Sequence, residues 1–338
     1  MDASNKVIGL SGLNWFGFET ASYAPYGLEV RNWEDMLDQI KGLGYNVIRL
    51  PFSNAMLGPG AMPANIDYIL NPDLTGLTSL QVMDKIIAGA GERSIKVILD
   101  NHRSTAGDGP QSNGLWYTGD YPESRWIEDW KMLAARYNDT FTVIGMDLRN
   151  EPFAACWGCG DPAVDWRLAA ERAGNAILSV DPNLLIIVQG VADYEGQSTL
   201  WGGNLMGAKE HPVRLALPER LVYSVHEYPE SVAPHPWFHE TNYPDNLPGV
   251  WDRYWGYLVK EEIAPVLVGE FGTRYETVKD RQWLQTFQDY IRQNELNWTF
   301  WSLNPNSADT GGLLLDDWNS VHEEKQAVLE HIQYPFIE

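Results

Sequence analysis

Long apolar runs are missing from this chain of 338 residues. No stretch reaches the ~18 consecutive apolar residues that a membrane-crossing helix needs, so a soluble globular protein is expected. Basic side chains are scarce: Lys and Arg number 24 against 46 Asp and Glu, for a formal net charge of -22. A field of that sign disfavours polyanions, so neither nucleic acid nor a membrane surface is an expected partner. A neutral polymer such as a polysaccharide is not disfavoured. Cysteine is nearly absent. Cys156 and Cys159 form one Cys-Trp-Gly-Cys unit, which is too few ligands for zinc. Its flank, Gly-Cys-Gly-Asp-Pro, is a loop and not the helix start that a redox pair uses. A disulfide closing a small loop is favoured over free thiols, and it points to an oxidising compartment. Met1 is followed by Asp-Ala-Ser-Asn-Lys, with no charged-then-apolar leader. A secreted, extracellular protein whose leader has been removed is expected, with a cytoplasmic one as the alternative. No Ser/Thr/Pro-rich linker divides the chain, so residues 1–338 read as a single domain.

Aromatic residues, by contrast, are abundant, with 15 Trp and 16 Tyr. Trp faces suit stacking on flat apolar surfaces, including those of sugar rings. Short runs rich in Val, Ile and Leu recur along the chain. Strands are predicted at Val7–Leu13, Asn46–Leu50, Lys96–Asp100, Val143–Asp147, Leu184–Val188, Leu221–Val225, Val266–Gly269 and Trp298–Trp301. Their continuous hydrophobicity fits strands covered on both faces, as in a parallel sheet. Amphipathic helices are predicted around 33–41, 79–92, 124–137, 165–179, 250–261, 280–293 and 323–331, with Asp165 and Asp280 as N-caps. Gly42-Leu43-Gly44 reads as a helix C-cap. This alternation, in this length, predicts a (β/α)8 TIM barrel, with a doubly wound open sheet as the alternative.

In such a barrel the chemistry lies where the strands end. Arg49 ends strand two, His102 strand three, and Asn150 with Glu151 strand four. His226 and Tyr228 end strand six, Glu270 strand seven and Trp301 strand eight. Core packing does not explain so many polar and aromatic strand ends. Two carboxylates across a barrel mouth are what glycoside hydrolysis requires: one protonates the departing oxygen while the other attacks the anomeric carbon or activates water. An ionised Glu270 makes ionising Glu151 costlier and keeps it protonated. Retention of configuration, with carboxyl groups about 5–5.5 Å apart, is the expectation.

Asn150-Glu151-Pro152 and Glu270-Phe271-Gly272 resemble the motifs of glycoside hydrolase family 5. So do Leu13-Asn14-Trp15-Phe16-Gly17, Ile48-Arg49-Leu50-Pro51, Cys156–Pro162, Asp165–Asn175 and Trp298–Ser302, which are similar to its bacterial endo-β-1,4-glucanases. The resemblance spans nearly the whole chain. It implies Glu151 as acid/base and Glu270 as nucleophile. It also implies Asn150 on the sugar 2-hydroxyl, Tyr228 and Arg49 holding the nucleophile, and His102 and His226 positioning the glutamates and binding hydroxyls. Trp301 would be the stacking floor where the sugar is distorted. A second disulfide found in some relatives is absent, since Thr20-Ala21-Ser22 and Thr105-Ala106-Gly107 stand in its place.

Trp201, after strand five, is a further candidate for sugar stacking, and Trp15 and Trp116 are weaker ones. Trp126, Trp130, Trp166, Trp251, Trp255 and Trp283 fall on predicted helices and are expected to pack. His235 and His239 have metal-ligand spacing, but Pro234 and Pro236 break the helix that spacing needs. Asp316 and Asp317 read as a solvated loop. The expected protein is a monomeric, retaining endo-β-1,4-glucanase needing no metal or cofactor, with β-1,4-glucan or cello-oligosaccharide as partner. A β-mannanase of the same mechanism, a non-catalytic carbohydrate-binding protein and a metal-dependent barrel hydrolase are the alternatives.

Overall fold

Alternation of short apolar strands and amphipathic helices closes on itself in space. The structure, a computed structural model, describes residues 8–337. Its strands are β1 (Ser11–Asn14), β2 (Val47–Ser53), β3 (Lys96–Arg103), β4 (Val143–Asp147), β5 (Leu185–Gln189), β6 (Leu221–Glu227), β7 (Val266–Phe271) and β8 (Asn297–Phe300). Every neighbouring pair is parallel, and β8 pairs with β1 to complete the barrel. The expected (β/α)8 architecture is the observed one. No helix among the described residues is long and apolar enough to cross a membrane.

The helices are α1 (Trp33–Gly42), α2 (Ser79–Glu92), α3 (Glu123–Tyr137), α4 (Trp166–Leu178), α5 (247–260), α6 (Val278–Gln293) and α7 (Glu323–Glu330). In α1 the buried residues are Trp33, Met36, Leu37 and Ile40, one helical stripe laid on the barrel. Thr78 and Gln81 form a capping box on α2, and Asp165 caps α4 as expected. Asp280 does not cap α6. Thr277 does, accepting the Asp280 N–H at 3.0 Å, which leaves the Asp280 charge in the first turn, where the helix dipole favours it. The helix expected at 250–261 starts at Leu247, with Pro248 in its first turn, and widens to a π-turn over Asp252–Gly256. The first strand is shorter than expected, and Val7 lies outside the described residues. Between β5 and β6 the chain forms a small hairpin (Asp193–Tyr194 with Gln197–Ser198) and short 3-10 turns in place of a helix.

Inside the barrel, side chains alternate in and out along each strand. At the bottom, Leu10, Val47, Ile98, Ile187 and Leu267 make a closed apolar cluster with Ile337. Two residues further along, the inward positions turn polar: Arg49, Asp100, Asp147, Gln189 and Ser224, all fully buried. The outward residues, such as Ile48, Leu50, Val97 and Leu99, join the main core beneath the helices.

One strand departs from alternation. Leu267 faces the inner cluster and Val268 the outer core, so strict period two would send Glu270 outward. The β6–β7 register slips between Val225 and His226, so that His226 pairs with Glu270 and Gly269 is extra. That bulge turns Glu270 into the barrel mouth. A Cβ on residue 269 would approach Ser224 Oγ to 2.6 Å, so any larger residue would have to displace that hydroxyl.

Glu227, one residue past His226, points outward between Trp255 Nε1 (2.7 Å) and Trp251 Nε1 (3.2 Å). Burial pushes its carboxyl up to about 8, against the pull of the two indole donors, and burial does the same to Glu19. Folded protein then keeps protons that unfolded chain has lost, so these two groups cost stability as pH rises from about 4.5 to about 8. The melting temperature should fall across that window, and Glu227→Gln should flatten the fall. A melting temperature that climbs from pH 5 to pH 8 would refute this.

Candidate active site

Polar strand ends that are distant in sequence meet at the barrel mouth because closure brings them there. At its centre lies Arg49, fully buried. Its Nη1 donates to Glu270 Oε1 at 2.7 Å and to Asn14 Oδ1 at 2.9 Å. Nε donates to Asp147 Oδ2 at 2.9 Å, and Nη2 reaches Asn150 Oδ1 at 3.0 Å and Asp100 Oδ1 at 3.1 Å. Burial alone would lower the Arg49 pKa, but three carboxylates around it outweigh that and raise it. Burial lifts Asp100 and Asp147 to about 7, with Arg49 pulling both down.

Glu270 is gripped from both sides. Tyr228 donates its hydroxyl to Oε2 at 2.7 Å while Arg49 holds Oε1. Across the mouth, His226 Nδ1 lies 2.8 Å from Glu151 Oε1 and 3.3 Å from Glu270 Oε2. One oxygen of each glutamate and a His226 ring nitrogen all lie within 4.8 Å of one another. Burial raises both carboxyls. Arg49 and Tyr228 restrain the rise at Glu270, whereas the Glu270 charge pushes Glu151 higher still. The first proton therefore leaves Glu270, and Glu151 keeps its own.

His102 and His226 are both held neutral by burial, His102 at about 3. His102 Nδ1 donates to Asp100 Oδ2 at 2.6 Å, which leaves Nε2 facing Asn150 Nδ2 at 3.4 Å. Glu151 itself has a left-handed backbone, φ +44°, a conformation that costs a non-glycine residue ~1–3 kcal/mol and persists only when its surroundings enforce it.

The cleft above holds about 400 Å³ and is lined by His102, Asn150, Glu151, Tyr228, Glu270 and Trp301. Trp201, His235 and Asp309 stand on its rim. A second hollow of about 430 Å³ lies between α6 and α7, lined by Tyr275, Arg281 and Glu324. Glu324 is the one carboxylate among its lining residues, so it holds no opposed carboxylate pair.

Residues 1–307 match the family model for cellulase, glycosyl hydrolase family 5. The chain belongs to glycoside hydrolase family 5. It is 53% identical to an endoglucanase of Paenibacillus polymyxa over 100% of this chain and 86% of that protein. To the major extracellular endoglucanase of Xanthomonas campestris pv. campestris it is 43% identical, over 97% of this chain and 68% of that one. Among solved structures, the catalytic domain of the major endoglucanase from the same bacterium superposes with a TM-score of 0.92 at 43% identity, covering 98% of this chain and 97% of that one. An endocellulase of Pyrococcus horikoshii in complex with cellotetraose superposes at 0.91 and 43% identity, over 96% and 92% of the two chains.

In this family 5 barrel, Arg49, His102, Asn150, Glu151, His226, Tyr228, Glu270 and Trp301 converge as the sequence reading expected. Trp301 is held by Phe16 and His102, whose rings lie nearly parallel to it at 5.2 and 5.5 Å. Trp201 is 48% exposed and backed by Phe153 at 4.2 Å. Trp15 is not in the cleft: it is fully buried, with its indole N–H on the Tyr26 carbonyl at 2.9 Å. Trp116 is likewise buried, bonded to Glu123 at 2.7 Å. Both rings have packing partners that leave no face free for a sugar. The Trp residues expected on helices are all buried. Cys156 and Cys159 are bonded to each other. His239 pairs with Glu230 at 3.1 Å and His235 stacks on Trp237 at 4.2 Å, so the two share no ligand position. Asp317 accepts the N–H groups of Asn319 and Ser320, an ordinary loop turn.

Four residues of the site escaped the sequence reading as functional positions: Asn14, Asp100, Asp147 and Gln189. Asp100 and Asp147 had been visible only as the last residues of predicted strands. Period-two counting from Val47, Ile98 and Ile187 would have placed polar side chains next to one another inside the barrel.

Proposed function

We propose that this family 5 hydrolase cleaves internal β-1,4-glucosidic bonds of cellulose and related β-glucans by double displacement, with Glu270 as nucleophile and Glu151 as acid/base. The observation that carries the assignment is the asymmetry of the carboxylate pair. Glu270 is held by a cation and a phenol, whereas Glu151 is held only by neutral His226 among its side-chain partners. An oxygen-to-oxygen approach within 4.8 Å suits direct attack and leaves too little room for the water that an inverting enzyme places between its carboxyl groups, about 6.5–9.5 Å apart.

In the first step a Glu270 oxygen bonds to the anomeric carbon, the glycosidic C–O bond breaks, and the Glu151 proton passes to the leaving oxygen. Glu151, now a carboxylate, takes a proton from water, whose oxygen replaces Glu270 on the opposite face. Two inversions give net retention. Asn150, fixed by Arg49, would meet the 2-hydroxyl, a contact that tightens as positive charge develops at the anomeric carbon. Arg49, as a fixed positive charge beside Glu270, keeps the attacking group ionised. The cycle as drawn uses side chains and water alone.

The glucan assignment is supported by the endoglucanase and endocellulase relatives. An extracellular, monomeric protein acting as one catalytic domain over residues 1–338 is the corresponding reading of the chain. Reducing-sugar release from carboxymethylcellulose and from β-mannan tests it. Release from the cellulose derivative supports the assignment, and release from mannan alone discards it.

Trp201 offers an exposed ring to a sugar beyond the cleavage point. Stacking of this kind is worth roughly 1 kcal/mol, so Trp201→Ala should raise KM for cellotetraose or cellopentaose about fivefold, while leaving a short aryl cellobioside nearly unchanged. Equal effects on both substrates would remove Trp201 from the sugar path.

A further inference from the structure

Where β4 ends at Asp147 the chain runs on through Asn150 into the left-handed turn at Glu151. The Glu151 N–H thereby leaves the strand ladder, and a buried amide N–H needs another acceptor. It finds one in a side chain. Gln189, the last residue of β5 and fully buried, accepts it on Oε1 at 2.8 Å. The same amide donates Nε2 to both oxygens of Asp147, at 3.0 and 2.9 Å. Asp147 in turn takes Arg49 at 2.9 Å, and Arg49 holds Glu270 at 2.7 Å.

We propose that Gln189 is a positioning residue for the hydrolytic reaction, fixing the backbone of Glu151 in its left-handed turn and tying that turn, through Asp147 and Arg49, to the carboxylate of Glu270. The inference rests on reading Glu151 as the acid/base. Only one orientation of the amide satisfies both neighbours, because oxygen must face an N–H donor and nitrogen must face a carboxylate. The Gln189 main chain is equally fixed, its carbonyl accepting Trp166 Nε1 at 2.8 Å. Gly202 closes the space above: a Cβ there would lie 3.1 Å from Gln189 Oε1 and 3.5 Å from Glu151 Cγ. The two glutamates are thus spaced by one chain of buried hydrogen bonds across four strands, β2, β4, β5 and β7, and within it the Gln189 side chain, like that of Asp147, touches neither glutamate carboxyl.

A displaced acid should matter only where the leaving group needs a proton. The test compares kcat/KM for phenyl β-cellobioside, whose phenolate leaves with assistance, and 2,4-dinitrophenyl β-cellobioside, whose phenolate leaves unaided. Gln189→Met keeps the length but removes both hydrogen bonds, and Gln189→Asn keeps the amide but cannot span both partners. Glu151→Ala is run alongside. A misplacement near 1 Å costs about 100-fold, so both Gln189 variants should lose on that order with the phenyl substrate and less than about threefold with the dinitrophenyl one. A Gln189 loss equal on both substrates, while Glu151→Ala discriminates between them, would overturn the positioning role alone. If Glu151→Ala also lost equally on both, the acid/base reading would fall and take this inference with it.

Discussion

Glu270→Gln should abolish sugar release from carboxymethylcellulose, a loss on the order of 10⁵-fold in kcat by analogy with removal of other covalent nucleophiles, while cello-oligosaccharide still binds. The amide is nearly isosteric, and its carbonyl can accept from Arg49 while its NH2 donates to the Tyr228 oxygen, so the fold should survive and the lost term should be the covalent bond itself. The same change removes the charge that adds to burial in raising the Glu151 pKa, so that pKa should fall, with burial still holding it above the ordinary carboxylate range. The two glutamates can then be told apart by product. With Glu270→Ala, azide can enter the vacated space and attack an activated β-glycosyl fluoride or aryl glycoside directly, giving the α-azide. With Glu151→Ala, azide intercepts the glycosyl-enzyme after one inversion and gives the β-azide. An α-azide from Glu151→Ala would reverse the assignment.

Arg49→Met should be the most damaging change that touches no sugar. Methionine fits the space but leaves Asp100, Asp147 and Glu270 in the barrel without their cation. Removing one partner of a buried ion pair costs ~3–5 kcal/mol, so a melting temperature lower by roughly 5–10 °C is expected. Activity should fall on the order of 10³-fold. The remaining activity should need a higher pH, because burial now raises Glu270 with no arginine to restrain it. Arg49→Lys tests the geometry separately from the charge. A single ammonium cannot span Glu270, Asp147 and Asn150 as the guanidinium fork does, so stability should recover further than turnover. Full activity in Arg49→Lys would show that charge alone suffices.

Much of this was legible from residue order. Val143–Asp147 and Ser79–Glu92 form the expected strand and helix with those same ends, because runs of apolar residues and a capping box are local signals. The strand-end residues were found for a related reason: in a barrel, position along the strand fixes which end of the molecule a side chain reaches. What stayed hidden depends on closure. Arg49 meets Asp147 across 98 residues and Glu270 across 221, and no local pattern announces such a meeting. Asp100 and Asp147 read as the tails of apolar strands, although each faces inward at the height of Arg49. Trp15 shows the opposite failure. An aromatic ring near a strand end is as suited to packing as to sugar binding, and only its Tyr26 partner decides between them.

The extra residue in β7 makes the direction of Glu270 a matter of counting. Substitutions elsewhere on β7 leave the count intact, but flattening the bulge with Gly269 still in the strand would change it. Glu270 would then face the helix layer, among Phe287 and Trp298, which now pack against Phe271, and its place in the cleft would be empty. Removing Gly269 and the bulge together would instead leave Glu270 next after outward Val268, opposite His226 and still facing inward. In a family of such barrels, the bulge and the residue it absorbs should be gained or lost as one.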